Sequence, residues 1–146
     1  MFIRKMKADD IDQLAELYKQ FWDNDSNLEK MNEQFKKFDK GDTNILFSAL
    51  DEDGKSGKLI GSIMGIICEE IYGECKPFMV VEDLIVHKDY RGKEIGKHLM
   101  NSLELVAKKR GCSQIILVTE SERLDACGFY EAYGFQKDIK GYKKVF

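Results

Sequence analysis

An α+β fold, or α/β in looser naming, is predicted for this 146-residue chain by three observations. Apolar residues switch between helical and strand spacing along the chain, and strand-like stretches outnumber helical ones. A strand, helix, strand unit sits mid-chain among segments that otherwise suit antiparallel pairing. The expectation is a mostly antiparallel mixed sheet of about six to seven strands with about four helices on its faces.

Residues 2–6 read as a short first strand. Ala8-Asp9-Asp10 then offers a helix cap before Ile11, Leu14, Leu17, Tyr18, Phe21 and Trp22 at helical spacing. A second helix is expected over 28–38. Segments 44–50 and 58–68, joined around Asp53-Gly54, read as a β-hairpin rich in Ile, Leu and Phe. A further strand covers 78–86. Ile95, Leu99, Leu103 and Val106 line one helical face, and that helix ends in Lys108-Lys109-Arg110-Gly111, where cations and a glycine suit a C-terminus. Segment 113–119 reads as a strand, 124–133 as a short helix stopped by Gly134, and 135–146 as one or two closing strands.

With 43% hydrophobic residues, nine Phe, six Tyr and one Pro, the composition is that of a globular chain. No linker or repeat divides it, so a single domain over 1–146 is expected, and a chain of this size buries about 68–70% of its unfolded surface. The longest apolar runs, 63–68 and 78–81, are too short to span a bilayer, which takes about 20 residues. The opening MFIRKMKADD lacks the apolar stretch of a secretory signal. A cytoplasmic protein without a membrane partner is expected. Cys68, Cys75, Cys112 and Cys127 form no CxxC pair, and His87 and His98 lie far from most of them. Buried free thiols are expected, and no metal. The net charge of −3 argues against a nucleic-acid partner.

The stretch VEDLIVHKDYRGKEIGKHLM carries the most chemistry. An apolar strand runs into a loop holding Arg91, Gly92, Lys93, Glu94, Ile95 and Gly96, and a helix begins there. A helix N-terminus presents unpaired N–H groups and a partial positive charge, so the junction suits a phosphate or diphosphate. Arg91, Lys93 and Lys97 add full charges, and Gly92 and Gly96 permit close approach. It is no Walker loop, because Gly92 and Gly96 are one residue too close and His98 follows Lys97; Gly92-Lys93-Glu94 also breaks the dinucleotide fingerprint.

This strand, loop and helix resemble the acyl-CoA-binding motif of the GNAT superfamily of acyl-CoA-dependent N-acetyltransferases. Its consensus is Arg or Gln, two variable residues, Gly, one variable residue, then Gly or Ala. Arg91 and Gly96 match, and Glu94 stands where the first glycine belongs, so its carboxylate must point away from bound phosphates. Downstream, DACGFYEAYGF is similar to the family's A-x-x-FY-x-x-x-GF segment. An Asn often found seven residues before its tyrosine is Arg123 here. The order of elements agrees with the family across the chain.

The resemblance implies direct transfer of an acetyl group from acetyl-CoA to a primary amine of a small molecule or peptide within a ternary complex. A non-catalytic acyl-CoA-binding sensor is the alternative. The backbone of Leu84, Ile85 and Val86 is expected to contact pantetheine. An alkylammonium is only about 0.04% neutral at pH 7, so a proton acceptor matters. The family often draws it from the strand before the loop, where Glu82 is favoured; Asp83, His87 or water remain alternatives. Strand alternation groups Glu82 with Leu84 and Val86, and Asp83 with Ile85 and His87. His87 is otherwise expected to face solvent, as is His98. Tyr130 is the candidate general acid for the leaving thiolate.

Residues 9–33 carry a local balance of −6, and residues 88–110 one of +4. That asymmetry suits an anionic donor and a cationic amine. Phe21, Trp22 and Asp23 are candidates for a wall of the acceptor site. Strand edges near the C-terminus suggest a homodimer.

Overall fold

The computed structural model describes residues 1–51 and 57–146. The expected Asp53-Gly54 turn lies outside them. The described residues form two compact units, Met1–Ile116 and Leu117–Phe146.

The first unit is built on a sheet of five strands in sequence order: β1 (Phe2–Lys5), β2 (Asn44–Leu50), β3 (Leu59–Cys68), β4 (Phe78–Val86) and β5 (Ile115–Ile116). The first four pair antiparallel, and β5 joins β4 in parallel. Between them run helices α1 (Ile11–Trp22), α2 (Leu28–Lys40) and α3 (Ile95–Lys109). The second unit holds α4 (Leu124–Tyr133). The α+β architecture and four helices agree with the sequence reading. The strand count does not: only Ile115–Ile116 of 113–119 pair, and 135–146 hold no strand. A strand is stabilised by its partner, and alternation predicts a face without supplying one. In 135–146, Ile139, Tyr142, Val145 and Phe146 are exposed.

Within the first unit, the helices cover defined sheet faces. Ile95, Leu99, Met100, Leu103 and Ala107 of α3 are buried, as their helical spacing predicts. Two glycines of β3 let α3 close on the sheet: a Cβ on Gly65 would lie 2.9 Å from Leu103 Cδ2 and 3.0 Å from Met79 Sδ, and one on Gly61 3.2 Å from Leu99 Cδ1. On the opposite face, Ile11, Leu14 and Leu17 of α1 and Phe35 of α2 form a core with Met6, Leu50, Leu59 and Ile85.

The start of α1 is tied down by a buried carboxylate. Asp10 accepts from Arg4 Nη1 at 2.7 Å and Nη2 at 2.8 Å, from the Lys7 N–H at 2.9 Å and from Ser48 Oγ at 2.8 Å. Burial pushes its carboxyl up, but these donors outweigh burial and hold it below the ordinary value. The sequence reading of a cap near Asp10 is right in place and too small in scope: the side chain joins β1, β2 and the entry to α1. The four cysteines are free, as expected, but none is buried; Cys75 is exposed and the other three are half-buried.

Candidate functional site

The β4 to α3 junction has the shape the sequence predicts. After β4 the chain makes a short 3-10 turn over Lys88–Tyr90, then passes through Gly92 at φ +74° and Glu94 at φ +58° before α3 begins at Ile95. The first N–H groups of α3 have no side-chain cap, so they are open to an anion. Arg91, Lys93 and Lys97 are exposed around them. Arg91 Nε donates to the Val86 carbonyl at 3.3 Å, which holds its guanidinium at the end of β4. Lys93 Nζ lies 5.0 Å from the Tyr90 ring centroid. Glu94 pairs with Lys97 at 3.1 Å, and this cation holds its carboxyl below the ordinary value. The loop therefore gathers uncapped N–H groups and three exposed cations, with the departure at Glu94 turned against its own lysine.

The β4 to β5 ladder stops at Val80 and Ile116, so Leu84, Ile85 and Val86 lie beyond it and do not pair with β5. Their side chains do not follow simple alternation. Met64 pairs with Glu82 while Ser62 pairs with Ile85, so two steps along β3 match three along β4. This is a β-bulge, with Asp83 at φ +52°. It reverses the in-out sense of β4: Glu82 shares a face with Ile85, which joins the core under α1, and Val86 pairs with Gly61 on the α3 face. The expected grouping of Glu82 with Val86, and of Asp83 apart from it, is thus corrected.

The bulge brings Glu82 and Asp83 together beneath α1. Burial raises the Glu82 carboxyl above its ordinary value, and the neighbouring Asp83 charge raises it further. Burial also raises Asp83, opposed by the neighbouring Tyr18 hydroxyl. Two carboxylates of raised proton affinity are suited to accepting a proton near neutral pH. Tyr18 is the residue the sequence reading missed as part of this site. Its spacing marks it as an apolar position of α1, and only its hydroxyl, on a helix packed over the strand with both acids, hints at more.

His87 is a second correction. It does not face solvent: it is only 9% exposed, its Nδ1 accepts from the Asp89 N–H at 3.3 Å, and its ring meets Tyr90 edge-on. Burial, then Lys58, pushes its titration down, so it is a neutral turn cap. His98 is exposed, as expected. Trp22 is half-exposed and packs on Tyr18 and Phe21, with ring centroids 5.1 and 5.0 Å apart. Asp23 ends α1 at φ +49°. Beside the junction, Asp12, Gln13, Glu16, Leu17, Gln20, Lys58, Leu59 and His87 line an open groove of about 260 Å³.

In the second unit, Tyr130 lies in α4 with its ring 5.3 Å from Phe129 and 5.8 Å from Phe135. Gly134, at φ +113°, ends the helix and lets Phe135 fold back, so that its N–H reaches the Tyr130 carbonyl at 3.0 Å. No cluster of three or more His, Cys, Asp or Glu side chains suited to a metal occurs among the described residues. No helix among them is long and apolar enough to cross a membrane.

Comparison with known proteins agrees with this geometry. The chain is 27% identical over 136 residues to glucosamine 6-phosphate N-acetyltransferase 1 of Dictyostelium discoideum, covering 92% of this chain and 83% of that one. It is 32% identical over 81 residues to the glucosamine 6-phosphate N-acetyltransferase of Candida albicans, covering 56% of this chain. The chain spans about half the length of that relative, 52%. The crystal structure of glucosamine-6-phosphate N-acetyltransferase from Arabidopsis thaliana superposes with a TM-score of 0.86 at 26% identity, covering 99% of this chain and 97% of that one. The acetyltransferase (GNAT) family profile matches residues 11–135, spanning the β4 to α3 junction, the bulge and α4, and the chain belongs to that family.

Proposed function

We propose that this chain, as one acetyltransferase domain, transfers an acetyl group from acetyl-CoA directly to a primary amine. The observation that carries the reading is the pairing of an anion-ready loop at the end of β4 with two half-buried carboxylates one bulge upstream. Arg91, Gly92, Lys93, Glu94, Ile95, Gly96 and Lys97 would hold the diphosphate through backbone N–H groups and cationic side chains. Leu84, Ile85 and Val86, beyond the β5 ladder, would take the pantetheine amides, and a backbone donor aimed at the thioester oxygen is worth about 3–4 kcal/mol. No metal enters the scheme.

Glu82 accepts the ammonium proton. The freed lone pair forms the new N–C bond at the thioester carbonyl, the C–S bond breaks as the thiolate leaves with its electron pair, and the amide nitrogen gives up its second proton to solvent water. Tyr130 supplies the proton that converts the thiolate to the thiol and regains one from solvent. A phenol near 10 giving its proton to a thiolate with a conjugate acid near 8.5 works uphill by about 2 kcal/mol, so this step assists without being indispensable.

The acceptor is a small molecule or a peptide. The relatives' name points to an amino sugar phosphate, whereas the acid-rich segment carrying α1 and α2 favours a cationic amine. A thiol-release assay with acetyl-CoA and a panel of glucosamine 6-phosphate, spermidine and a short peptide, with an acceptor-free control, tests both. Amine-dependent thiol release supports the enzyme. Acetyl-CoA binding without release from any amine supports a sensor instead. We also propose a homodimer without nucleic-acid or membrane partners in the cytoplasm; sedimentation equilibrium tests the dimer.

A further inference from the structure

We propose that Tyr18 is a positioning residue for acetyl transfer: by holding the Asp83 carboxylate under α1, its hydroxyl fixes the β4 bulge and with it the direction of Glu82. The inference rests on the transfer reading above and adds to it a residue outside both sequence motifs.

Three features of the structure converge on this hydroxyl. Asp83 occupies the left-handed region at φ +52°, where a residue with a Cβ stays only if its surroundings hold it. The bulge there is a break in register, Met64 with Glu82 and Ser62 with Ile85, so the ladder to β3 does not itself hold Asp83. The Tyr18 hydroxyl adjoins both the Asp83 carboxylate and Ser62, whose buried Oγ has no hydrogen-bond partner.

The tyrosine is itself fixed. Its ring packs against the core under α1 and meets Trp22 edge-on, with centroids 5.1 Å apart at 82°. A rigid ring delivers its O–H to one point, which is what orienting a carboxylate requires. The ionisable groups interacting with Asp83 are Tyr18 from α1 and Glu82 from β4 itself, with the Ser62 hydroxyl beside them from β3. Burial, then Asp83, pushes the Tyr18 hydroxyl well above the ordinary phenol range, so it remains a donor at every working pH. Glu82 and Asp83 then titrate as a pair whose charged form Tyr18 stabilises.

The test compares wild type with Tyr18→Phe, Asp83→Ala and Asp83→Asn, using acetyl-CoA and the panel amine that releases most thiol. Tyr18→Phe keeps the ring and removes only the donor. It is expected to lower kcat about 10-fold or more, the effect of losing a hydrogen bond to a charged group. Its acetyl-CoA Kd and amine KM should stay within about twofold, and the acid limb of kcat/KM should move to higher pH. Asp83→Ala should lose as much, and the Tyr18→Phe, Asp83→Ala double variant no more than either. Asp83→Asn can accept the same bond and tolerates positive φ, so it should recover most of what Asp83→Ala loses. Amide exchange at Ile85 should quicken in Tyr18→Phe, a readout needing no acceptor.

Unchanged kcat and acid limb in Tyr18→Phe would overturn the proposal, as would loss of acetyl-CoA binding in step with activity, which marks a merely structural role. If Tyr18→Phe does not fold, Asp83→Ala decides: full kcat there refutes the idea. Failure of wild type to release thiol with any amine defeats the transfer reading alone, since the exchange measurement still reports whether Tyr18 holds the bulge.

Discussion

Replacing Asp10 by asparagine should weaken the whole fold, and the size and pH dependence of the loss follow from its four donors. Asp10 is 3% exposed and accepts two bonds from Arg4, one from the Lys7 N–H and one from Ser48. Breaking a buried pair by removing one charge costs about 3–5 kcal/mol, because the remaining cation is left desolvated. The Arg4 side chain keeps 20% of its surface in water, so the lower end applies, about 3 kcal/mol. For a chain of this length the unfolding entropy at the midpoint is about 0.3 kcal/mol per kelvin, and Asp10→Asn should lower Tm by about 10 °C.

The sign of the pH dependence is fixed by the direction of the shift. The folded-state value of Asp10 lies below the unfolded one, so its stabilisation is complete above the ordinary carboxylate range and is lost as pH falls through the folded value. Thermal unfolding of both proteins between pH 7 and pH 2 should therefore show a constant gap near neutrality that closes in acid. A Tm difference under about 3 °C at pH 7, or a gap independent of pH, would refute the reasoning.

Other changes probe the proposed site and its support. Glu94→Gly removes a carboxylate from the anion loop, frees Lys97 and places glycine at φ +58°; acetyl-CoA should bind severalfold more tightly by calorimetry, with Glu94→Gln intermediate. Glu82→Gln should lower kcat/KM by about 10²–10⁴ at pH 7 in the thiol-release assay. In wild type, the acid limb of that profile should lie above the ordinary carboxylate range, since burial and Asp83 both raise Glu82. Tyr130→Phe should slow turnover moderately under saturating acetyl-CoA, and an unchanged kcat/KM would remove Tyr130 from the acid role. Gly65→Ala inserts a methyl 2.9 Å from Leu103 Cδ2, where Leu103 and Met79 are fully buried, and should cost about 1–3 kcal/mol in urea unfolding.

The sequence exposes whatever is written in local spacing. Ile95, Leu99 and Leu103 predict α3 and its buried face, and the loop glycines and cations predict an anion-ready helix start. The strand 78–86 and the helix 124–133 appear with those bounds. What escapes is anything set by a partner distant along the chain. Nothing in Val81-Glu82-Asp83-Leu84 announces a bulge, because no glycine or asparagine marks the left-handed residue and the register depends on β3. The alternation argument therefore separates two carboxylates that the bulge unites. Asp10 looks like a cap until Ser48, 38 residues away, is seen to donate to it. Tyr18 looks like one more apolar helix position until α1 is laid across β4.

The extra residue on β4 also decides how the strand answers a change in length. Removing one residue between Glu82 and Ile85 would let two steps of β4 match the two steps from Met64 to Ser62, so Ile85 would keep the α1 side and Val86 the α3 side. The chain would still enter the turn at Lys88 from the same face, with the Val86 carbonyl in place for Arg91. A single-codon deletion in this short stretch would thus spare the cradle for the donor and abolish only the device that sets a second carboxylate beside Glu82.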